Sequence, residues 1–314
     1  MSDTVGGATG AQSQPNIFQK IGQAIVKGAQ AIGSKLVEFG HKIADFFKSL
    51  GNGAQNAGNH AHPAGATHPV LAGKTFTPEQ KQQYIQNAQQ SQFYTSLAGS
   101  TDDYINQGTF DNLMDAVLDT PRTAAAMEAY GVTLDEAISI SMYTSQAYRQ
   151  VNASLRNNDG NPAMQGLADA FTSALEKLPS FDGNPVDTPN GTYYQAFRGA
   201  KLPQNVGTQH TINARISDPG IMSSSYDEGE AFGQVNYSMT LLLKPGSQGK
   251  DITAFSDKPT EAEVAFPPSV QFQVTARVFD SGGLLPPGME ATYHPGFDMS
   301  GMPMGTVQLV MQEV

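Results

Sequence analysis

The chain of 314 residues carries a net charge of −11 and no cysteine. A disulfide framework and thiol chemistry are therefore excluded, and the acidity argues against nucleic acid as a partner of the whole molecule. Hydrophobic residues make up 39%, enough for a core but low enough to predict that part of the chain is unstructured. No apolar run approaches the roughly 18 residues that cross a bilayer, and the first 16 residues lack the basic-then-apolar pattern of a secretory signal, so neither feature is expected.

In chain order, Met1 to Asn16 is dominated by Ser, Gly, Thr, Ala and Gln and is predicted to be disordered. From Ile17 to Leu50 the pattern changes. Ile17, Ile21, Ile25, Ile32, Leu36, Phe39, Ile43 and Phe46 or Phe47 recur at helical spacing, and Lys20, Lys27, Lys35 and Lys42 form a stripe of their own. A basic stripe beside an apolar face predicts an amphipathic helix at a membrane surface or a chaperone; packing on the rest of the protein is the other reading. Residues 51–74, rich in Gly, Ala, Asn and His, read as a flexible linker. His60, His62 and His68 have no carboxylate or cysteine with them, so no metal is expected.

Order is predicted to resume near residue 75. Thr77-Pro78-Glu79 reads as a helix start, and helices are expected over Tyr84 to Leu97, Phe110 to Leu118, Thr123 to Tyr130, Leu134 to Arg156 and Ala163 to Leu178. After Pro179, strands are expected at Val235 to Leu243, Val270 to Phe279 and Thr306 to Val314. Helices first and strands after predict an α+β fold, with a helical part over 75–180 and a β core over 190–314. Residues 280–304, rich in Gly and Pro with Met289, Met299, Met302 and Met304, read as a long loop.

One stretch carries chemistry. In Glu261-Ala262-Glu263-Val264-Ala265-Phe266-Pro267-Pro268, two carboxylates stand two residues apart before a strand-like run. On an extended strand both would face one cleft. Paired carboxylates suit a reaction that develops positive charge, one stabilising the cation and one accepting a proton. Alone, the pair reads first as two surface glutamates on a solvated strand edge. Upstream lie Tyr193-Tyr194-Gln195-Ala196-Phe197-Arg198-Gly199 and Ile221-Met222-Ser223-Ser224-Ser225. An Arg-Gly strand, a strand ending Ser-x-Ser, then Glu-x-Glu and Pro-Pro resembles the mono-ADP-ribosyltransferases of the R-S-E type. Gly249 to Ser256, Val270 to Val274, Tyr143 to Tyr148 and Val151 to Arg156 fit the same order.

That resemblance covers roughly residues 100–314 and implies a mixed two-sheet β core of the ADP-ribosyltransferase type. It also implies transfer of ADP-ribose from NAD+, as co-substrate and without a metal, to a protein side chain. By residue, Glu263 would stabilise the cation left as nicotinamide departs, and Glu261 would orient or deprotonate the acceptor. Arg198 would bind the diphosphate; Ser223 would hold Glu263, with Ser225 in support. Gly199, Ser224, Phe232 and Phe255 complete the implied cofactor site, although core packing is an open reading for both phenylalanines. The start of the chain resembles the uncleaved export signals of type III effectors. The implied protein is then secreted from a bacterium and acts on a host protein, through arginine or, as some effectors do, through threonine on a small protein such as ubiquitin. An NAD+ glycohydrolase and a silent membrane- or host-protein-binding effector are the alternatives.

Overall fold

The computed structural model describes residues 71–188, 191–231, 235–279 and 307–314. The export-like start, the amphipathic stripe at 17–50, residues 51–70 of the linker, Phe232 and the loop at 280–304 lie outside the described residues.

Side-chain caps set the helix boundaries. At the start of α1 (Pro78–Gln89), the Gln80 N–H donates to the Thr77 hydroxyl at 3.3 Å, and the Thr77 N–H donates to the Gln80 side chain at 2.9 Å. The predicted helix over Tyr84 to Leu97 is broken at Ser91, whose hydroxyl caps a separate short helix, α2 (Gln92–Ser96). Asn106 caps α3 (Gln107–Asp119), and Pro121 opens α4 (Pro121–Tyr130), which closes on the left-handed Gly131. The long helix expected from Leu134 to Arg156 is continuous but not uniform. An α segment, α5 (Leu134–Met142), widens into a π turn at Tyr143–Ala147 before resuming as α6 (Tyr148–Asn157). Asn161 then caps α7 (Pro162–Lys177). Packing also reaches back into the stretch read as linker: the Lys74 N–H donates to the Pro121 carbonyl at 3.0 Å, and Leu71 lies against the helical core.

Nine strands are present among the described residues: β1 (Pro185–Thr188), β2 (Gly191–Ala200), β3 (Arg215–Ser217), β4 (Met222–Ser225), β5 (Tyr237–Leu243), β6 (Lys250–Asp251), β7 (Glu263–Phe266), β8 (Gln271–Phe279) and β9 (Val307–Glu313). They run in the order β3-β8-β9-β5-β2-β4-β7-β6, with β1 on the free edge of β2. Among the described residues, only β5 and β9 pair in parallel. The ladder has two halves, β3-β8-β9-β5-β2 and β4-β7-β6, joined where Phe197 of β2 faces Ser225 of β4. This is the α+β, mixed-sheet organisation expected; in place of two separate sheets, the described strands form one hydrogen-bonded sheet whose halves are held together by that single pair.

Two apolar cores follow from strand parity. Ile221 and Ala265 join the core of the helices, together with Ile252 and Phe255. Met222, Val264 and Phe266, one residue out of phase, join the second core, formed by β2, β5, β8 and β9. The face shared by Ile221 just before β4, by Ser223 and Ser225 on β4 and by Glu263 and Ala265 on β7 therefore looks toward the helices.

Candidate active site

Glu263 opens β7 directly opposite Ser225, and Ser223 is opposite Ala265. Glu263 and Ser223 are thus diagonal neighbours on the helix-facing side, close enough for side chains to meet. Glu263 is only 7% exposed. Burial is the largest influence on its carboxyl and raises its pKa; Glu261 adds to the rise, while the Ser223 hydroxyl, Arg198 and Lys258 oppose it. The net result is a carboxyl pushed up to about 7. Arg198, half-buried on β2, donates from Nη1 to the Ser223 carbonyl. The arginine thereby ties the centre of the sheet to the serine strand. Burial lowers its pKa, against the pull of Tyr143, Asp218 and Glu263.

The two glutamates do not share one strand, contrary to the expectation from their spacing. A 3-10 turn at Pro259–Glu261 ends on Ala262, which is left-handed at φ 50° and ψ 49°, and β7 begins only at Glu263. A non-glycine residue in that region is unusual, and the reversal sends the two carboxylates to different depths. The Glu261 side chain is 47% exposed and lies 3.6 Å from the Lys258 ammonium. Its backbone is held from below: the Ser225 hydroxyl donates to the Glu261 carbonyl at 2.8 Å and accepts from the Asp227 N–H at 2.9 Å. The Tyr226 N–H donates to the Ala262 carbonyl at 2.9 Å.

The structure brings Arg198, Ser223, Ser225, Glu261 and Glu263 together, keeps Gly199 beside Arg198 on β2, and sets Ser224 and Phe255 elsewhere. Ser224 points to the opposite face of β4, where its buried hydroxyl donates to the Val264 carbonyl at 3.0 Å. Phe255 is inside the helical core rather than in the cleft. Gly199 has a packing reason of its own: a Cβ there would fall 2.4 Å from the Ala231 carbonyl oxygen, because α8 (Glu228–Ala231) lies directly on β2.

Residues on the preceding helix, recognised in sequence only as a matching stretch, line the same region. The Tyr143 hydroxyl donates to the Ile221 carbonyl and accepts from Asn152 Nδ2, both at 3.1 Å. Burial, reinforced by Glu263, raises the Tyr143 pKa and keeps the phenol protonated. Among the described residues, the buried Asn152 Oδ1 has no hydrogen-bond partner. Gly220 makes room for it, since a Cβ would sit 2.7 Å from that oxygen. Arg156 forms a two-pronged pair with Asp218 at 2.8 and 2.7 Å, and this pair lies in the field of Arg198. No sequence periodicity marks Asp218 or Gly220; the only signal was the Asp-Pro-Gly turn just before the serine strand.

Chemically, the cleft combines a buried carboxylate beside a serine, two guanidinium groups and a second, solvent-facing carboxylate. That set suits a substrate carrying both a diphosphate and a carbon centre that becomes cationic. Among the described residues, no group of three or more His, Asp or Glu side chains is placed to hold a metal ion, and no helix is long and apolar enough to cross a membrane.

Residues 118–283 match the family described as ADP-ribosyltransferase exoenzyme. Two curated relatives, both Tre1 proteins, carry the name NAD(+)–protein-arginine ADP-ribosyltransferase. The one from Serratia proteamaculans is 30% identical over 153 residues, 48% of this chain and 31% of that protein. The one from Pseudomonas putida is 34% identical over 142 residues, 45% of this chain and 26% of that protein. Each match therefore spans less than a third of the relative. Among solved structures, the ADP-ribosyltransferase HopU1 of Pseudomonas syringae is 19% identical, with a TM-score of 0.49 over 77% of this chain and 100% of that one. Exoenzyme S of Pseudomonas aeruginosa is 15% identical, with a TM-score of 0.47 over 71% and 87%. With the family match spanning just over half of its length, the chain belongs to the ADP-ribosyltransferase exoenzyme family.

Proposed function

We propose that this protein transfers ADP-ribose from NAD+ to an arginine side chain of a protein. The observation that carries the reading is the division of labour between two glutamates separated by one left-handed residue. Glu263 is buried against Ser223 with Arg198 nearby, and Glu261 stands at the surface on a turn fixed by Ser225. In the reaction, the bond between the nicotinamide nitrogen and C1′ of the ribose breaks, and its electron pair leaves with nicotinamide. The positive charge left on the sugar faces the Glu263 carboxylate, which stabilises it in a site shielded from water. A guanidinium nitrogen of the acceptor then bonds to C1′, and Glu261 takes the proton that this nitrogen gives up. Arg198 supplies a planar, charged fork for the diphosphate.

The names of the two relatives support arginine as the acceptor. Delivery to another cell, with a host protein as acceptor, belongs to the same reading. It is supported by the exoenzyme description of the family and by the Ser/Gly/Thr-rich start of the chain. The test is incubation with labelled NAD+ and agmatine, a small free guanidinium. Labelled agmatine supports the reading, free ADP-ribose alone replaces it with NAD+ hydrolysis, and no turnover leaves a binding protein.

A further inference from the structure

The helix that widens at Tyr143–Ala147 makes two contacts from adjacent residues, one to the start of the serine strand and one to the loop that leads to Glu261. The Tyr143 hydroxyl holds the Ile221 carbonyl, two residues before Ser223. On the next residue, the Thr144 hydroxyl accepts from the Asp257 N–H at 2.9 Å while donating to the Ser141 carbonyl at 3.2 Å. Thr144 is 6% exposed, so its bond to the loop is shielded from water. From Asp257 the chain has little slack before Glu261. The Lys258 N–H is fixed on the Ser256 hydroxyl at 3.0 Å, Pro259 stiffens the next step, and the Glu261 N–H closes the turn on the Lys258 carbonyl at 3.0 Å.

A regular α-helix turns about 100° per residue. Single π turns recur at functional sites, where they redirect side chains. Here the turn sits where one residue reaches the serine strand and the next reaches the acceptor loop. Thr144 touches neither glutamate side chain, so its contribution runs through the Asp257–Glu261 backbone.

We infer that Thr144 is a positioning residue that sets Glu261, and hence the acceptor, against the Glu263 site, with the π turn as the shared reference for both. The inference rests on the transferase reading above and gives a role to a residue to which the resemblance assigned none. It predicts a specific split. Loosening the Asp257 anchor leaves Glu263, Ser223 and Arg198 in place, so NAD+ still binds and still gives ADP-ribose to water. Only the step that needs a correctly placed Glu261 suffers.

The experiment uses the full chain with labelled NAD+ and measures nicotinamide release without acceptor and labelling of agmatine. Thr144→Val keeps the shape and removes the hydroxyl; Thr144→Ser keeps the hydroxyl. Thr123→Val removes an equally buried hydroxyl whose bond to the Ala254 carbonyl, at 2.8 Å, anchors the same loop further from Glu261. The expected result for Thr144→Val is labelling reduced about five- to tenfold with nicotinamide release within about twofold of the parent. Thr144→Ser should restore the labelling, and Thr123→Val should leave the ratio of the two activities unchanged. Equal loss of both activities in Thr144→Val, no loss at all, no rescue by serine, or the same split in Thr123→Val would overturn the inference. If the parent protein releases nicotinamide but labels no agmatine, the transferase reading fails and the inference fails with it. If the parent labels agmatine and Thr144→Val labels it equally, only the inference fails.

Discussion

The Ser225 hydroxyl donates to the Glu261 carbonyl at 2.8 Å, although Ser225 is the strand partner of Glu263 and not of Glu261. One serine thus serves both carboxylates, pairing its backbone with the buried one and its side chain with the turn that carries the exposed one. Ser225→Ala is expected to lower agmatine labelling about tenfold while costing about 1–2 kcal/mol of stability, the usual cost of leaving a half-buried carbonyl without its donor. Labelling kinetics and thermal unfolding check both parts. Unchanged labelling at reduced stability would reduce Ser225 to a structural role.

Glu263 links activity to pH. Its carboxyl titrates near 7 in the folded chain because it is buried, and the proposed chemistry needs the carboxylate. kcat/KM for nicotinamide release should therefore climb through pH 6–8 and level off above it. A profile flat from pH 5 to 9 would contradict the assignment.

The same shift makes Glu263 a stability cost. The unfolded chain releases this proton near 4.5, whereas the folded chain keeps it to about 7. Between those values the folded state binds more protons, so stability falls as pH rises through the window. At about 1.4 kcal/mol per pKa unit, the penalty above pH 7 is roughly 3 kcal/mol. Glu263→Gln should accordingly be more stable than the parent at pH 8 and lose that advantage at pH 4.5. Denaturant titrations at the two pH values measure it, and equal differences at both would show that the carboxyl is not shifted.

Arg198 has two tasks in this account, holding the Ser223 carbonyl and facing the diphosphate. An ammonium offers no planar fork, so Arg198→Lys is expected to raise KM for NAD+ about tenfold with a smaller effect on kcat. A KM within twofold of the parent would remove Arg198 from the NAD+ site.

Substitution of Gly199 distinguishes a packing role from ligand contact. Because α8 leaves no room for a Cβ, Gly199→Ala should cost about 1–3 kcal/mol of stability and leave KM for NAD+ unaltered in the fraction that folds. A fully stable variant with a raised KM would return Gly199 to the ligand site.

Much of this architecture was legible in the chain itself. Helix periodicity, Thr77 and the Pro-rich ends placed the helices within a few residues, and the β-branched runs placed β5, β8 and β9. Arg198, Ser223, Glu261 and Glu263 were expected from their order rather than from any single motif, and the sheet brings together the strands of Arg198, Ser223 and Glu263, with Glu261 on the turn before the last of them. Three features were hidden for physical reasons. Ala262 adopts a left-handed conformation that sequence signals assign to Gly or Asn, so the Glu-x-Glu stretch read as one strand. The π turn has no compositional mark, since Tyr143-Thr144-Ser145 fits an α-helix equally well. Ser224 lost its place in the cleft to strand parity, which becomes certain only once the partner strand is known.

The central claim is that Glu263 serves bond breaking and Glu261 serves the acceptor. The most direct measurement compares Glu261→Gln and Glu263→Gln side by side, with nicotinamide release and agmatine labelling read from the same preparations. Glu263→Gln should lose both activities by at least about a hundredfold, the scale of removing a stabilising group from a developing charge. Glu261→Gln should lose labelling to a similar degree yet keep nicotinamide release to water within a few-fold of the parent. Near-parental nicotinamide release by Glu263→Gln, or equal loss of both activities in Glu261→Gln, would contradict the division of roles.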